Sequence, residues 1–133
     1  VAPILYVTGV KWLVERPRPI TSVGSGLLPG DPSFPSGHTA AAVIVSVMMI
    51  LIVRNFARSR FPDGEDDERA NRRRVFLRRA IIGAVALVVA VACSRLLLGL
   101  HYPTDVIISA TICPLISYAV WCVWNACESA EEW

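Results

Sequence analysis

The chain has 133 residues, 54% hydrophobic and 18% charged, with a mean hydropathy of +0.52 and a formal net charge of +2. A soluble domain of this length carries fewer apolar residues and scatters its charges, whereas here long apolar runs alternate with charge clusters, the layout of a multi-span membrane protein. So small a net charge, with the arginines gathered beside acids, argues against a nucleic-acid partner and for a membrane-side loop.

Val1 to about Trp12 is apolar but too short to span a bilayer, and no charged n-region or cleavage site marks it as a signal peptide. It is read as the last part of a longer helix, with earlier spans expected outside this sequence. Glu15 to Pro35 holds five of the nine prolines, and its Pro-Arg-Pro and Leu-Pro-Gly-Asp-Pro runs predict an ordered loop. From Ser36 to Val53 the chain is almost uniformly apolar, and at 1.5 Å per residue it reaches about 27 Å, close to the hydrocarbon thickness of a bilayer.

Arg54 to Arg79 is the polar block, with nine arginines, the acidic Asp63 to Glu68 cluster, and a turn expected at Pro62 and Gly64. Short arginine-rich loops stay cytoplasmic, and Arg54, Arg78 and Arg79 can snorkel to the interface. Further spans are expected at about 75–100 and 103–124. The expectation is thus an all-α integral-membrane bundle, residues 1–133 forming one domain with spans at about 1–12 (partial), 36–53, 75–100 and 103–124. The four cysteines, Cys93, Cys113, Cys122 and Cys127, form no C-x-x-C pair and are expected to be small buried hydrophobes.

The polar residues that interrupt the apolar runs fall in three stretches. The only lysine, Lys11, precedes Arg18-Pro19; His38 follows Pro35-Ser36-Gly37; Ser94-Arg95 precedes His101 and Asp105. Ser36 is a candidate N-cap whose helix would offer free N–H groups to an anion, and Gly37 would let that anion approach the backbone. Arg95 follows fifteen uncharged residues, Ala80 to Ser94, and a cation there is costly unless it snorkels or meets an anion. His101 and Asp105 lie four residues apart around Pro103, which suits a first helical turn. Asp105 could accept the Nδ1–H of His101 and leave Nε2 as a nucleophilic lone pair; a simple capping pair is the alternative. With the arginine loop inside, the helix directions put all these residues on the opposite, extracytoplasmic face.

The three stretches resemble the tripartite signature of the type 2 phosphatidic acid phosphatase superfamily, K-x6-R-P, P-S-G-H and S-R-x5-H-x3-D, in order and spacing from Lys11 to Asp105. The resemblance implies a membrane-embedded, metal-independent lipid phosphate phosphatase, this chain being the C-terminal part of a six-span core. His101 would be the nucleophile that forms a phosphohistidine, Asp105 would orient it, and His38 would be the acid and then the base. Lys11, Arg18, Ser36, Gly37 and Arg95 would hold the phosphate, with no metal or cofactor. The expected substrates are polyprenyl diphosphate, phosphatidylglycerol phosphate or phosphatidic acid, and the expected setting is a bacterial plasma membrane. A protein that binds lipid phosphates without turnover, or an inactive fragment, is the competing reading. The stretch after Asp105, Val106 to Thr111, lacks the glycines that many relatives carry there, but its small residues Ser109, Ala110 and Thr111 still permit close helix packing.

Overall fold

Local sequence dictates where each helix starts and stops, and those ends build the site. The computed structural model describes residues 2–19, 30–60 and 67–131. Among them are four helices and no strand: α1 (Ala2–Val14), α2 (Gly37–Arg60), α3 (Asp67–Leu97) and α4 (Pro103–Glu131). The fold is all-α, and α2, α3 and α4 are each long and apolar enough to cross a membrane. Residues 20–29 of the Pro- and Gly-rich loop, the Pro62–Gly64 turn, most of the acidic cluster beside it, Val1 and the last two residues lie outside the described residues.

α1 ends where Glu15 takes a left-handed conformation (φ 46°) and its N–H bonds back to the Lys11 carbonyl at 2.9 Å, a single-bond αL cap. α2 starts at Ser36, whose Oγ accepts the Thr39 N–H at 3.4 Å, the N-cap expected from the sequence. α3 closes with a Schellman motif. Gly99, at φ 63°, donates to the Leu96 carbonyl at 2.9 Å, and Leu100 donates to the Arg95 carbonyl at 3.1 Å. α4 opens with Pro103 at its first position, where the missing N–H costs nothing. Asp105 then reaches back to accept the Tyr102 N–H at 2.9 Å, the acidic half of a capping box.

The helices outrun the apolar runs that announced them. α2 continues to Arg60 rather than 53, α3 starts at Asp67 rather than 75 and stops at Leu97 rather than 100, and α4 continues to Glu131, although its apolar stretch runs over Pro103–Trp124 as expected. Arginine and alanine are good helix formers beyond the bilayer edge, and Glu68 accepts from Arg72 one turn on at 2.6 Å. At α3's other end, glycine's left-handed φ halts the helix early. At about 36 Å or more, each of α2, α3 and α4 exceeds the ~30 Å hydrocarbon core.

α2 packs against the other three helices. The interior is made of small and polar side chains: Ala40, Val43 and Cys113 with Val7, and Thr39, Ser46 and Ser109. Ser46 Oγ donates to the Ala84 carbonyl of α3 at 3.3 Å, so the two backbones pass closely. The large aliphatic residues point outward, as Leu13 and Leu97 do at 84% and 88% exposure. Such an inverted distribution suits a lipid surround. It also corrects the expectation for the cysteines, because Cys113 alone is buried while Cys93, Cys122 and Cys127 lie on the outer surface. An apolar thiol loses nothing by facing lipid. Arg54 lies 5.4 Å from the Trp121 ring.

Gly99→Ala forces a Cβ into the left-handed region and should destabilise the protein by about 1–2 kcal/mol. Gly99→Asn should cost less. Unfolding in detergent measures both, and an alanine variant as stable as the parent would contradict the capping assignment.

Candidate active site

The end of α1, the start of α2, the end of α3 and the start of α4 meet at one end of the bundle. Lys11 sits in the last turn of α1, and the αL turn at Glu15 leads into Arg16-Pro17-Arg18. The 30–36 segment is bonded to this loop, since Ser33 donates its N–H to the Arg16 carbonyl at 2.8 Å and its hydroxyl to the Pro17 carbonyl at 3.2 Å. That segment brings Asp31 between the two cations. Lys11 Nζ donates to the Asp31 carboxylate and to the Pro32 carbonyl. Arg18 donates through Nη2 to Asp31 Oδ1 at 2.7 Å, through Nε to the Asp31 carbonyl at 3.1 Å, and through Nη1 to the Leu100 carbonyl at 2.9 Å. Lys11 and Arg18 therefore each keep donor capacity beyond these bonds.

Lys11, Arg18, Asp31, Gly37, His38, Ala41, Leu100 and His101 line one cavity of ≈ 400 Å³. Its floor includes the N-terminus of α2. Thr39 N–H and Ala40 N–H are taken by Ser36, which leaves the Gly37 and His38 amides without an acceptor among the described residues. Two amides at a helix N-terminus and two cations border the same space, a combination suited to an anion. A Cβ built on Gly37 would meet nothing nearer than Val7 Cγ1 at 4.0 Å. The missing side chain thus keeps the cavity wall open rather than relieving a clash.

His101 follows the Schellman turn and is almost fully buried, like Asp105. Asp105 Oδ2 stands 3.5 Å from His101 Nδ1, and Nδ1 has no hydrogen-bond partner, so the two are neighbours at more than the distance of a good hydrogen bond. On the other side of the ring, Nε2 lies 3.4 Å from Arg18 Nη1. Burial and the nearby Arg18 guanidinium push His101 below the ordinary imidazole value of 6.5, only partly offset by the Ser33 backbone and Asp105. Both roles weighed for Asp105, capping α4 and facing His101, are filled by the same oxygen.

Of the residues singled out in sequence, Lys11, Arg18, Gly37, His38 and His101 share the cavity wall. Ser36 and Asp105 lie buried behind it, joined by the Ser36 N–H donating to the Asp105 carbonyl at 3.1 Å. Arg95 is not in the wall: half-buried, it donates from Nε to Ser94 Oγ at 3.2 Å. Ser109 is buried and donates its hydroxyl to the same Asp105 carbonyl at 2.9 Å.

Two residues were missed in sequence. Asp31 is the only acid between Glu15 and Asp63, a signal that charge pairing could have exposed. Arg16 was masked by its neighbour in Arg-Pro-Arg-Pro; it donates to Asp105 Oδ1 at 2.9 Å and to Thr104 Oγ1 at 2.6 Å. Among the described residues no group of three or more His, Cys, Asp or Glu stands where it could hold a metal ion.

For Asp31, burial raises the carboxyl but the bonds and charges of Lys11 and Arg18 outweigh it, bringing it from 3.8 to about 2. A depressed carboxylate stabilises the fold above its unfolded value, and that contribution is lost as pH falls through the folded one. The stability advantage of wild type over Asp31→Asn should therefore shrink as pH drops from 3.8 to about 2. Thermal unfolding in detergent across that window checks it, and a constant difference would refute it.

A family model described as the PAP2 superfamily matches residues 1–128. No curated protein and no solved structure matches the chain. The chain belongs to the PAP2 superfamily, the type 2 phosphatidic acid phosphatases, and this membership suggests phosphatase activity on lipid phosphates.

Proposed function

We propose that this superfamily member is a membrane-embedded hydrolase of lipid phosphates or diphosphates, of the polyprenyl diphosphate, phosphatidylglycerol phosphate or phosphatidic acid kind, acting through a phosphohistidine. The observation that carries the reading is that both histidines of the chain line the cavity that holds Lys11, Arg18 and the open N-terminus of α2. Binding an anion needs the cations and amides alone. Two imidazoles beside them supply what turnover needs.

In this reading the phosphate sits against the Gly37 and His38 amides, with Lys11 and Arg18 on its oxygens. His101 Nε2 attacks the terminal phosphorus, a P–N bond forms, and the P–O bond from that phosphorus to the leaving lipid alcohol (from a monophosphate) or lipid monophosphate (from a diphosphate) breaks. His38 gives its proton to the departing oxygen and then removes one from a water molecule that attacks the phosphohistidine. Inorganic phosphate leaves and His101 is restored. The cations and helix end stabilise the charge on the equatorial oxygens of the trigonal-bipyramidal transition state. Ser36 supports the helix end, and Arg95 joins the phosphate ligands if its guanidinium leaves Ser94 when substrate binds. The site lies opposite the arginine-rich end of α2 and α3. By the positive-inside rule this gives an extracytoplasmic active site, and the resemblance points to a bacterial plasma membrane as its setting.

His101→Ala should abolish phosphoenzyme formation. His38→Ala should slow turnover by ~10²–10⁴-fold, and less for a good leaving group such as a nitrophenolate. Rapid-quench trapping of labelled enzyme measures both, and wild-type labelling in His101→Ala would mean the nucleophile is elsewhere.

The acid limb of kcat/KM reports the free enzyme. Neutral His101 is the active form and its value is held below 6.5, so activity should persist to lower pH than an ordinary imidazole allows. An acid limb above 6.5 would contradict this. Vanadate should inhibit and chelators should not; activity lost to a chelator and restored by a divalent ion would count against the scheme.

A further inference from the structure

Arg16 reaches the catalytic pair from the far side of the site. It is not among the residues that line the cavity of His38 and His101. Its guanidinium is held on three sides. Nη1 donates to Asp105 Oδ1 at 2.9 Å and to Thr104 Oγ1 at 2.6 Å, and the guanidinium carbon lies 4.1 Å above the Tyr102 ring. Its backbone is fixed by the bond from Ser33. Asp105 is fully buried, and a buried carboxylate is retained only when its oxygens are paired.

We propose that Arg16 is a positioning residue: by binding Asp105 Oδ1 it fixes the carboxylate so that Oδ2 faces His101 Nδ1, and thereby sets the imidazole tautomer that leaves Nε2 free. The link is geometric. A carboxylate turns about one bond, so fixing Oδ1 fixes Oδ2. Oδ2 takes the Tyr102 N–H at 2.9 Å and stands 3.5 Å from Nδ1, which has no hydrogen-bond partner, while the Ser33 backbone also lies beside the ring. A neutral imidazole carries one proton, on Nδ1 or Nε2. A proton on Nε2 would point at the donor Arg18 Nη1, 3.4 Å away; a proton on Nδ1 points at the carboxylate. Arg18 and Asp105 thus favour the same tautomer from opposite sides of the ring. Arg16 supplies the second determinant by keeping Asp105 in place.

The consequence for catalysis rests on His101 being the nucleophile, but the tautomer itself can be read without substrate. With only two histidines in the chain, ¹⁵N-labelled histidine gives two resolvable sets of ring signals. In the purified membrane protein His101 should show Nδ1 protonated, whereas Arg16→Gln should show a mixture of tautomers. Phosphoenzyme formation in Arg16→Gln should slow on the order of 10–100-fold, the range seen when the partner that orients a ligating group is removed. Inhibition by inorganic phosphate should be unchanged, because Lys11 and Arg18 keep their partners. Arg16→Lys restores a cation without the planar fork and should recover part of both the tautomer and the rate.

An unchanged tautomer in Arg16→Gln overturns the proposal. So does phosphate inhibition weakened by the same factor as the rate, which would make Arg16 a phosphate ligand, or a lysine variant no better than the glutamine one. Should Arg16→Gln not fold, a wild-type tautomer and rate in Arg16→Lys would overturn it, and a partial shift would support it. A wild-type enzyme that forms no phosphohistidine defeats the proposed function, and the tautomer comparison still decides the role of Arg16.

Discussion

Three segments of this chain meet at one buried residue, Asp105, through its carboxylate and its main-chain carbonyl. Asp105 Oδ1 takes Arg16 from the loop after α1, Oδ2 takes the Tyr102 amide and faces His101, and its main-chain carbonyl takes the Ser36 amide from the start of α2 and the Ser109 hydroxyl from the next turn of α4. Such a group cannot be half-satisfied, because leaving a buried charge unpaired costs several kcal/mol. Its requirement brings together segments far apart in sequence. A second junction closes the opposite wall, where Asp31 holds Lys11 beside Arg18 and Arg18 reaches the Leu100 carbonyl. Two like charges stay adjacent there because a third, opposite charge lies between them.

The bundle below the site is organised by a different constraint. With lipid as the surrounding solvent, large side chains gain nothing by turning inward, so the interior is left to residues that permit close approach and hydrogen bonding between helices. Ser46 on Ala84 and Ser109 on Asp105 are examples. The polar requirements collect at the helix ends, where capping leaves amides and carbonyls to be used. The proposed anion site is thus made from what helix termini leave over: two amides at the start of α2, and a carbonyl at the close of α3 that anchors Arg18.

Much of this was legible in the sequence because chemistry-bearing residues are scarce in an apolar chain. One lysine and two histidines could hardly be overlooked, and Ser36 and Pro103 announced their helix starts through local rules. Helix ends were less legible, since hydropathy reports the bilayer while hydrogen bonding continues past it; α3 begins well before its apolar run. Asp31 and Arg16 were missed because ion pairing across 13 to 89 residues of chain is decided by tertiary placement and leaves no local pattern. Arg95 shows the reverse. Its place in the motif was plain, but the Schellman turn that follows sends Leu100 and His101 to the cavity and leaves its guanidinium on Ser94. The cysteines were misjudged by a rule for water-soluble cores.

The central claim is that the helix ends form one phosphate site with His101 as its nucleophile. A structure of the protein with vanadate bound tests it most directly. Vanadium should be bonded to His101 Nε2, with its oxygens on Lys11, Arg18 and the amides of Gly37 and His38, and with His38 on the opposite, leaving-group side. Vanadate attached to His38, or held away from the cavity between α1 and α2, would contradict it.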